Sequence, residues 1–410
     1  MRVAVIAGPY VPVPPKQYGG TELVIANLIR GLQEMGHQPV LLASADSTID
    51  CPIIPITDKA IYFPKHKKDL PAYLARAKEI EKTTADKLRG ILGDVDIIHS
   101  HGFDLKDFQD FPNLTTMHGP VTFQQLDYYD HRRDLFYVSI SRNQQDAFPD
   151  LQYVGVVYNG EDPSQFPIVT DPDDYVCFLG RFDREKDPHL AIQLAINLGM
   201  RIKVAGKIDH QGDGYFDEEI RPLLANPLVE YCGELGFDDK IKLLSHARCN
   251  LHPTGFREPF GLTVLEAAYC GTPTLAIKRG SMPELIEEGR TGMLVEDFIE
   301  GCHEIKSCFD MDRRYIAERA RMLFNYRTMT RQYLKAYEKV IDIFHTRERQ
   351  RRIIRRMAVQ TRTDLSDIWP GAPRPDAAAY QPAPATHPET PSGHSDRPHA
   401  PISAIMPPDR

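Results

Sequence analysis

The chain has 410 residues, 42% of them hydrophobic, and a formal net charge of −8. That is enough for two domains with buried cores, and the charge has the wrong sign for a nucleic-acid binder, which carries a basic face. Seven cysteines without a CxxC pair read as reduced core residues. No apolar run approaches the roughly 18 residues of a membrane span, and the N-terminal run is too short for a signal peptide, so a cytoplasmic location is expected.

In chain order, residues 3–7 predict a buried strand, 21–35 an amphipathic helix closed by Gly36, and 39–43 the next strand. Strands follow at 96–99, 114–117, 136–140 and 154–157, with helical patterns between them. Apolar strands alternating with helices predict a parallel sheet covered on both faces. Residues 159–174, with Gly160, Pro163, Pro167 and Pro172, form a turn-rich passage that reads as an interdomain linker. The alternation then restarts, with strands at 175–179, 201–205, 229–232, 250–252 and 274–277. Helices are expected at 188–198, at 238–247 and around Glu266. The fold class is therefore α/β, as two Rossmann-like halves facing across a cleft, with ligands beyond the carboxyl ends of the strands. Residues 312–344 are helical in pattern. The basic run 347–356, which holds Ile353 and Ile354, reads as a solvated helix end, with weak contact to an anionic membrane surface as the alternative. The Pro- and Ala-rich tail has little to bury and is expected to be disordered.

Four segments carry chemistry. Gly19-Gly20-Thr21 stands between the first strand and the first helix, where paired glycines let backbone approach a phosphate at a helix start. A plain Gly-Gly turn capped by Thr21 is the other account. No GxGxxG or Walker A pattern is present there, which disfavours nicotinamide and NTPase chemistry. Arg181 and Lys186 follow a strand of the second half, and could neutralise a diphosphate or belong to a charged surface loop. His118, before Gly119, follows a strand of the first half, where it could bond a substrate hydroxyl or handle a proton, or be a polar strand-end residue. His99 and His101 form an HxH pair, but further ligands for a metal are not evident. The fourth segment sets Glu258 and Glu266 on either side of Pro-Phe-Gly-Leu. At about 1.5 Å per helical residue, eight positions span about 12 Å, near the length of a nucleoside diphosphate with its sugar, and the glycine between them, at a helix start, would leave backbone N–H groups for a diphosphate. Glu266 lies among Leu262, Val264, Leu265 and Ala267, where a carboxylate needs a partner.

Together these segments resemble the retaining glycosyltransferases of family 4, which have the GT-B fold. The resemblance rests on YGGTE (18–22), TMHG (116–119), VYNG (157–160), GRFDREK (180–186), GEL (233–235), EPFGLTVLE (258–266), CGTP (270–273) and the run 279–296, in the family's order. It implies a hexosyltransferase using a UDP- or GDP-sugar, without cofactor or metal, by attack on the leaving-group face. Arg181 and Lys186 would bind the diphosphate, Glu258 the sugar hydroxyls and Glu266 the ribose. The backbone of Phe260, Gly261 and Leu262 would meet sugar and phosphates. Gly19, Gly20 and Thr21 would close from the other domain, and His118 would lie near donor sugar and acceptor. Asp187 departs from the family, which often has glycine there. The implied layout is an acceptor-side domain at 1–160, a linker at 161–174 and a nucleotide-sugar domain at 175–325. C-terminal helices at 326–356 would pack back on the first domain, ahead of a disordered tail at 357–410. The acceptor, a small molecule, a lipid-linked sugar or a polysaccharide, stays open. A sugar-nucleotide epimerase or a degenerate scaffold protein are the alternatives.

Overall fold

The computed structural model describes residues 1–368 except 17–18, 65, 121, 123–124 and 209–213. Tyr18 and the tail from residue 369 onward therefore lie outside the described residues. One compact unit is Met1–Val340, and a second begins at Ile341.

Two parallel sheets organise the first unit. The N-terminal sheet comprises β1 (Arg2–Ile6), β2 (Gln38–Ser44), β3 (Ile53–Thr57), β4 (Ile97–Ser100), β5 (Asn113–Met117), β6 (Phe136–Ser139) and β7 (Gln152–Val156), in the order β3-β2-β1-β4-β5-β6-β7. The second comprises β8 (Val176–Leu179), β9 (Ile202–Ala205), β10 (Val229–Gly233), β11 (Cys249–His252), β12 (Thr274–Ile277) and β13 (Gly292–Val295), in the order β10-β9-β8-β11-β12-β13. All pairings are parallel, for example Val5 opposite His99 and Cys177 opposite Asn250. Successive side chains of β8 enter opposite faces: Val176 and Phe178 join one core, Cys177 the other, as the two-residue period of a strand requires. The strand order turns at β1/β4 and at β8/β11, and a crevice opens at such points in doubly wound sheets.

The helices are α1 (Gly20–Glu34), α2 (Leu70–Arg89), α3 (Leu126–Asp130), α4 (Arg142–Gln145), α5 (Pro188–Asn197), α6 (Phe237–His246), α7 (Leu262–Tyr269), α8 (Met282–Leu285), α9 (Phe298–Phe309), α10 (Arg313–Leu323) and α11 (Tyr326–Ile368). In its first turns α11 returns to the N-terminal sheet. Tyr333 and Tyr337 are buried there, and the Thr116 hydroxyl donates to Tyr333 Oη at 3.0 Å. Residues 357–368, expected as disordered tail, continue this helix; the sequence has no proline until Pro370 to break it. Strands β3 and β13 had no counterpart in the sequence reading. β3 carries Pro55 and lies at the sheet edge, where proline is tolerated.

Candidate functional site

The loops after β8 and β11, which meet at the second sheet's turning point, bring Lys186 and Glu258 together. The Lys186 ammonium donates to Glu258 Oε2, with the two side chains 16% and 14% exposed. Burial would raise the Glu258 carboxyl, but the Lys186 charge and its hydrogen bond outweigh that and hold it below its ordinary value. His252, at the end of β11, stands with Nε2 3.9 Å from Glu258 Oε2; burial pushes its imidazole down to about 4. Arg181 lies on the same rim, 3.0 Å from Asp183 and 3.2 Å from Glu185. The expected cations are thus placed at one site, already engaged by carboxylates rather than standing open.

Asp187 follows Lys186 with φ +49° and ψ +42°, a left-handed backbone, and heads α5. The departure from glycine is accommodated because Asp is among the residues that tolerate this conformation. Its Oδ2 also accepts the Gly255 N–H at 3.2 Å, tying the loop of Lys186 to that of Glu258.

Glu258 and Glu266 do not share a helix. Helix α7 begins only at Leu262, and Gly261 heads it with a left-handed backbone and no side-chain cap. The helical rise therefore measures the segment only from Gly261 onward, and Glu258 is held from a loop. The Ser281 N–H donates to Glu258 O at 3.0 Å and the Ser281 hydroxyl to Phe260 O at 2.5 Å. Phe260 is buried. Glu266, one turn into α7, is 4% exposed, and the partner its burial demands is Lys240 of α6, which donates to Glu266 Oε1. Val264, Leu265, Ala267 and Tyr269 anchor α7 in the core, each larger side chain contributing roughly 1.5–3 kcal/mol.

The N-terminal domain closes on this element. Gly20, the first residue of α1, faces Leu262, the first of α7: a Cβ on Gly20 would fall 2.9 Å from Leu262 Cδ1. Two helix starts, each bearing partial positive charge, thus lie next to each other. Gly19, not Thr21, is the N-cap residue of α1; Thr21 lies within the first turn. Burial pushes the neighbouring Glu22 carboxyl up to about 7.

His118 stands half-buried just beyond β5, its Nε2 2.7 Å from His101 Nδ1. Burial lowers the His118 imidazole to about 4, so it is neutral at physiological pH. His99 has both ring nitrogens occupied, Nδ1 by Tyr337 Oη at 2.8 Å and Nε2 by Thr116 Oγ1 at 2.7 Å. The HxH pair is therefore a buried polar network behind His118. Among the described residues no His/Cys/Asp/Glu group has the arrangement of a metal site, and no helix is long and apolar enough to cross a membrane.

Lys240 and His252 escaped the sequence reading. His252 ends an apolar strand as His118 nearly does, and that parallel was a usable signal. Lys240 sits in a charged helix face with nothing to distinguish it locally. Its partner lies 26 positions away.

Residues 162–304 match the family model described as Glycosyl transferases group 1, and residues 18–163 the one described as Glycosyltransferase Family 4. The chain is 24% identical over 345 residues to the glycogen synthase of Mycobacterium tuberculosis (strain ATCC 25618 / H37Rv), covering 72% of this chain and 82% of that protein. It is 30% identical over 200 residues to the D-inositol 3-phosphate glycosyltransferase of Mycobacterium bovis (strain BCG / Pasteur 1173P2), over 43% of this chain and 39% of that one. In fold it is similar to the crystal structure of Anabaena Alr3699/HepE in complex with UDP and glucose, with a TM-score of 0.62 and 16% identity, over 83% of this chain and all of that one.

Proposed function

We propose that this chain, which belongs to the group 1 glycosyltransferases with the GT-B fold, moves a hexose from a nucleoside diphosphate sugar to an acceptor hydroxyl, with retention and without a metal. The observation that carries this reading is the convergence of Lys186, Glu258 and the start of α7 at the β8/β11 turning point, opposite the start of α1. The crystallised HepE relative in fold holds UDP and glucose, which supports a donor of that class.

In this reading the donor's diphosphate lies between the two helix starts, whose free N–H groups donate to anions. Arg181 and Lys186 turn from their carboxylate partners to stabilise the charge that grows on the leaving phosphate. Glu258 accepts hydrogen bonds from the sugar hydroxyls, with the Phe260–Leu262 backbone beneath the sugar, and Glu266 does the same for the ribose. His118, a neutral imidazole, bonds a hydroxyl of the donor sugar on the acceptor side. The acceptor hydroxyl attacks C1 from the leaving-group face and its proton passes to the departing phosphate oxygen. Two carboxylates flanking the scissile bond, as in hydrolases, are not part of this scheme, because Glu258 and Glu266 serve opposite ends of the donor.

A thermal-shift screen of nucleotide sugars identifies the donor, since a ligand at a hundredfold excess over its dissociation constant stabilises by about 2.7 kcal/mol. With that donor, Glu258→Gln and Lys186→Ala each lower transfer by roughly 10²–10³-fold while circular dichroism stays unchanged, and EDTA leaves activity intact. Wild-type turnover in either variant, or a loss restored by metal, defeats the reading. Conversion of the nucleotide sugar without any acceptor turns it toward an epimerase.

A further inference from the structure

Glu161 opens the chain crossing from the first domain to the second and is 2% exposed. Its backbone is fully engaged: the N–H donates to Tyr269 Oη at 3.1 Å, and the carbonyl accepts the Tyr326 N–H at 3.0 Å. Its carboxyl is different. Oε1 is buried with no hydrogen-bond partner among the described residues. Burial first, then the nearby Glu266 carboxylate, push this carboxyl well up, and the Lys240 ammonium only partly opposes them. The groups facing it are Glu266 and Tyr269 of α7 and Lys240 of α6. The adjoining Asp162 is committed elsewhere, to Arg30 of α1 at 2.6 Å. The buried cluster therefore holds two carboxyls and one ammonium, and in this structure the ammonium sits on Glu266. One cation compensates one carboxylate; a second carboxyl in the same low-dielectric space stays neutral by keeping its proton.

We propose that Glu161 is the alternative seat of the Lys240 ammonium, taken up when the ribose of a nucleotide sugar occupies Glu266. The proposal rests on the reading of Glu266 as the ribose contact. Ribose hydroxyls donate to the Glu266 carboxylate and displace the Lys240 N–H from it. Lys240 swings to Glu161, whose carboxylic O–H bond breaks heterolytically, and the proton leaves to buffer. No electron is transferred and no bond to the donor is made or broken. Glu161 is thus a positioning residue: it acts through Lys240 on Glu266 and does not touch the substrate. The orphaned Oε1 becomes the acceptor that receives the lysine.

The test is proton release on donor binding, with UDP-glucose as probe and GDP-mannose as the second. Neither sugar diphosphate has a phosphate group that titrates near neutrality. Calorimetry in two buffers of different ionisation enthalpy, from about pH 6 to about pH 9, is expected to give about one proton released per donor bound at the acid end, falling toward none as pH passes the Glu161 titration of the free protein. The dissociation constant falls about tenfold per pH unit until the Glu161 titration is passed. Glu161→Gln, a near-isosteric change checked for unchanged melting, abolishes both the release and the slope, whereas Glu161→Asp keeps them. A purely structural role would not move the slope. Wild-type binding without proton release, or a Glu161→Gln protein that keeps the slope, overturns the role of Glu161 alone. Donor binding unweakened in Glu266→Ala, or no binding of either probe by the wild type, overturns the ribose reading beneath it.

Discussion

Lys186 and Glu258 are each other's partner, so removing one leaves the other charged and buried. Glu258 has a lowered carboxyl, so the stability it contributes is present above its unfolded value and is lost as pH falls through the lower folded value. Lys186→Met reverses the environment, because a buried carboxylate without a cation has its pKa raised. Denaturant unfolding is therefore expected to show the variant about 2 kcal/mol less stable at pH 7, with the gap narrowing toward pH 4 as Glu258 takes up a proton. A gap that widens in acid would refute the pairing. Asp187 gives a second test. Asp187→Ala places a side chain with no local hydrogen bond at φ +49° and removes the bond to the Gly255 N–H, so unfolding should register a loss of about 1–2 kcal/mol. Asp187→Gly relieves the backbone and loses only the bond, so its loss should be smaller. At this scale the sequence disclosed residue types better than partners. Glu266 was legible as a carboxylate needing company, because its neighbours in the chain are apolar. That its company is Lys240 was not legible, since the contact arises only when α6 and α7 pack.

The helices and strands read most clearly where the hydrophobic period is long. Helix α1, predicted at 21–35, spans Gly20–Glu34, and the strand predicted at 274–277 spans Thr274–Ile277. Strand β3 was hidden because Pro55 interrupts its pattern, and β13 because it follows directly on the charged, glycine-bearing residues 287–291, which read as a turn. Helix α7 starts at the glycine between the two glutamates, as expected, since Gly261 takes a left-handed backbone that ends helical continuity. Packing between helices adds constraints no local pattern contains. Gly31 of α1 lies under Thr330 of α11, and a Cβ there would fall 2.0 Å from Thr330 Oγ1 and 2.9 Å from its Cβ. Two effects compete in Gly31→Ala: helix propensity favours alanine by about 1 kcal/mol, while overpacking of a tight contact costs about 1–3 kcal/mol. The overlap involves a side chain held at 2.8 Å to the Tyr326 carbonyl, so it cannot simply swing away and overpacking wins. Thermal unfolding is expected to show net destabilisation of up to about 2 kcal/mol, partly recovered by adding Thr330→Ala. A more stable Gly31→Ala protein would mean that α11 does not bear on α1.

Across the whole molecule, Glu284 of α8 gathers several polar contacts between the two domains. It accepts the Arg142 and Asn143 N–H groups of α4 at 2.8 and 2.9 Å and the Tyr158 hydroxyl at 2.8 Å. Glu284→Ala removes all three, and because the contacts are partly solvated their sum is taken as about 2 kcal/mol. Small-angle scattering is expected to show a larger radius of gyration, and the donor KM to rise up to about 30-fold, with circular dichroism unchanged. An unaltered scattering curve would show that the latch is dispensable. The two-sheet plan was legible because strand–helix alternation restarts after a turn-rich passage; the latch was not, because Glu284 and Arg142 lie 142 positions apart. The chain passes between the domains twice, and the passages touch: Glu161 is bridged to Asn325 in parallel, and the Tyr326 N–H bonds the Glu161 carbonyl. Two crossings bonded side by side restrain movement of one half against the other more than a single crossing would.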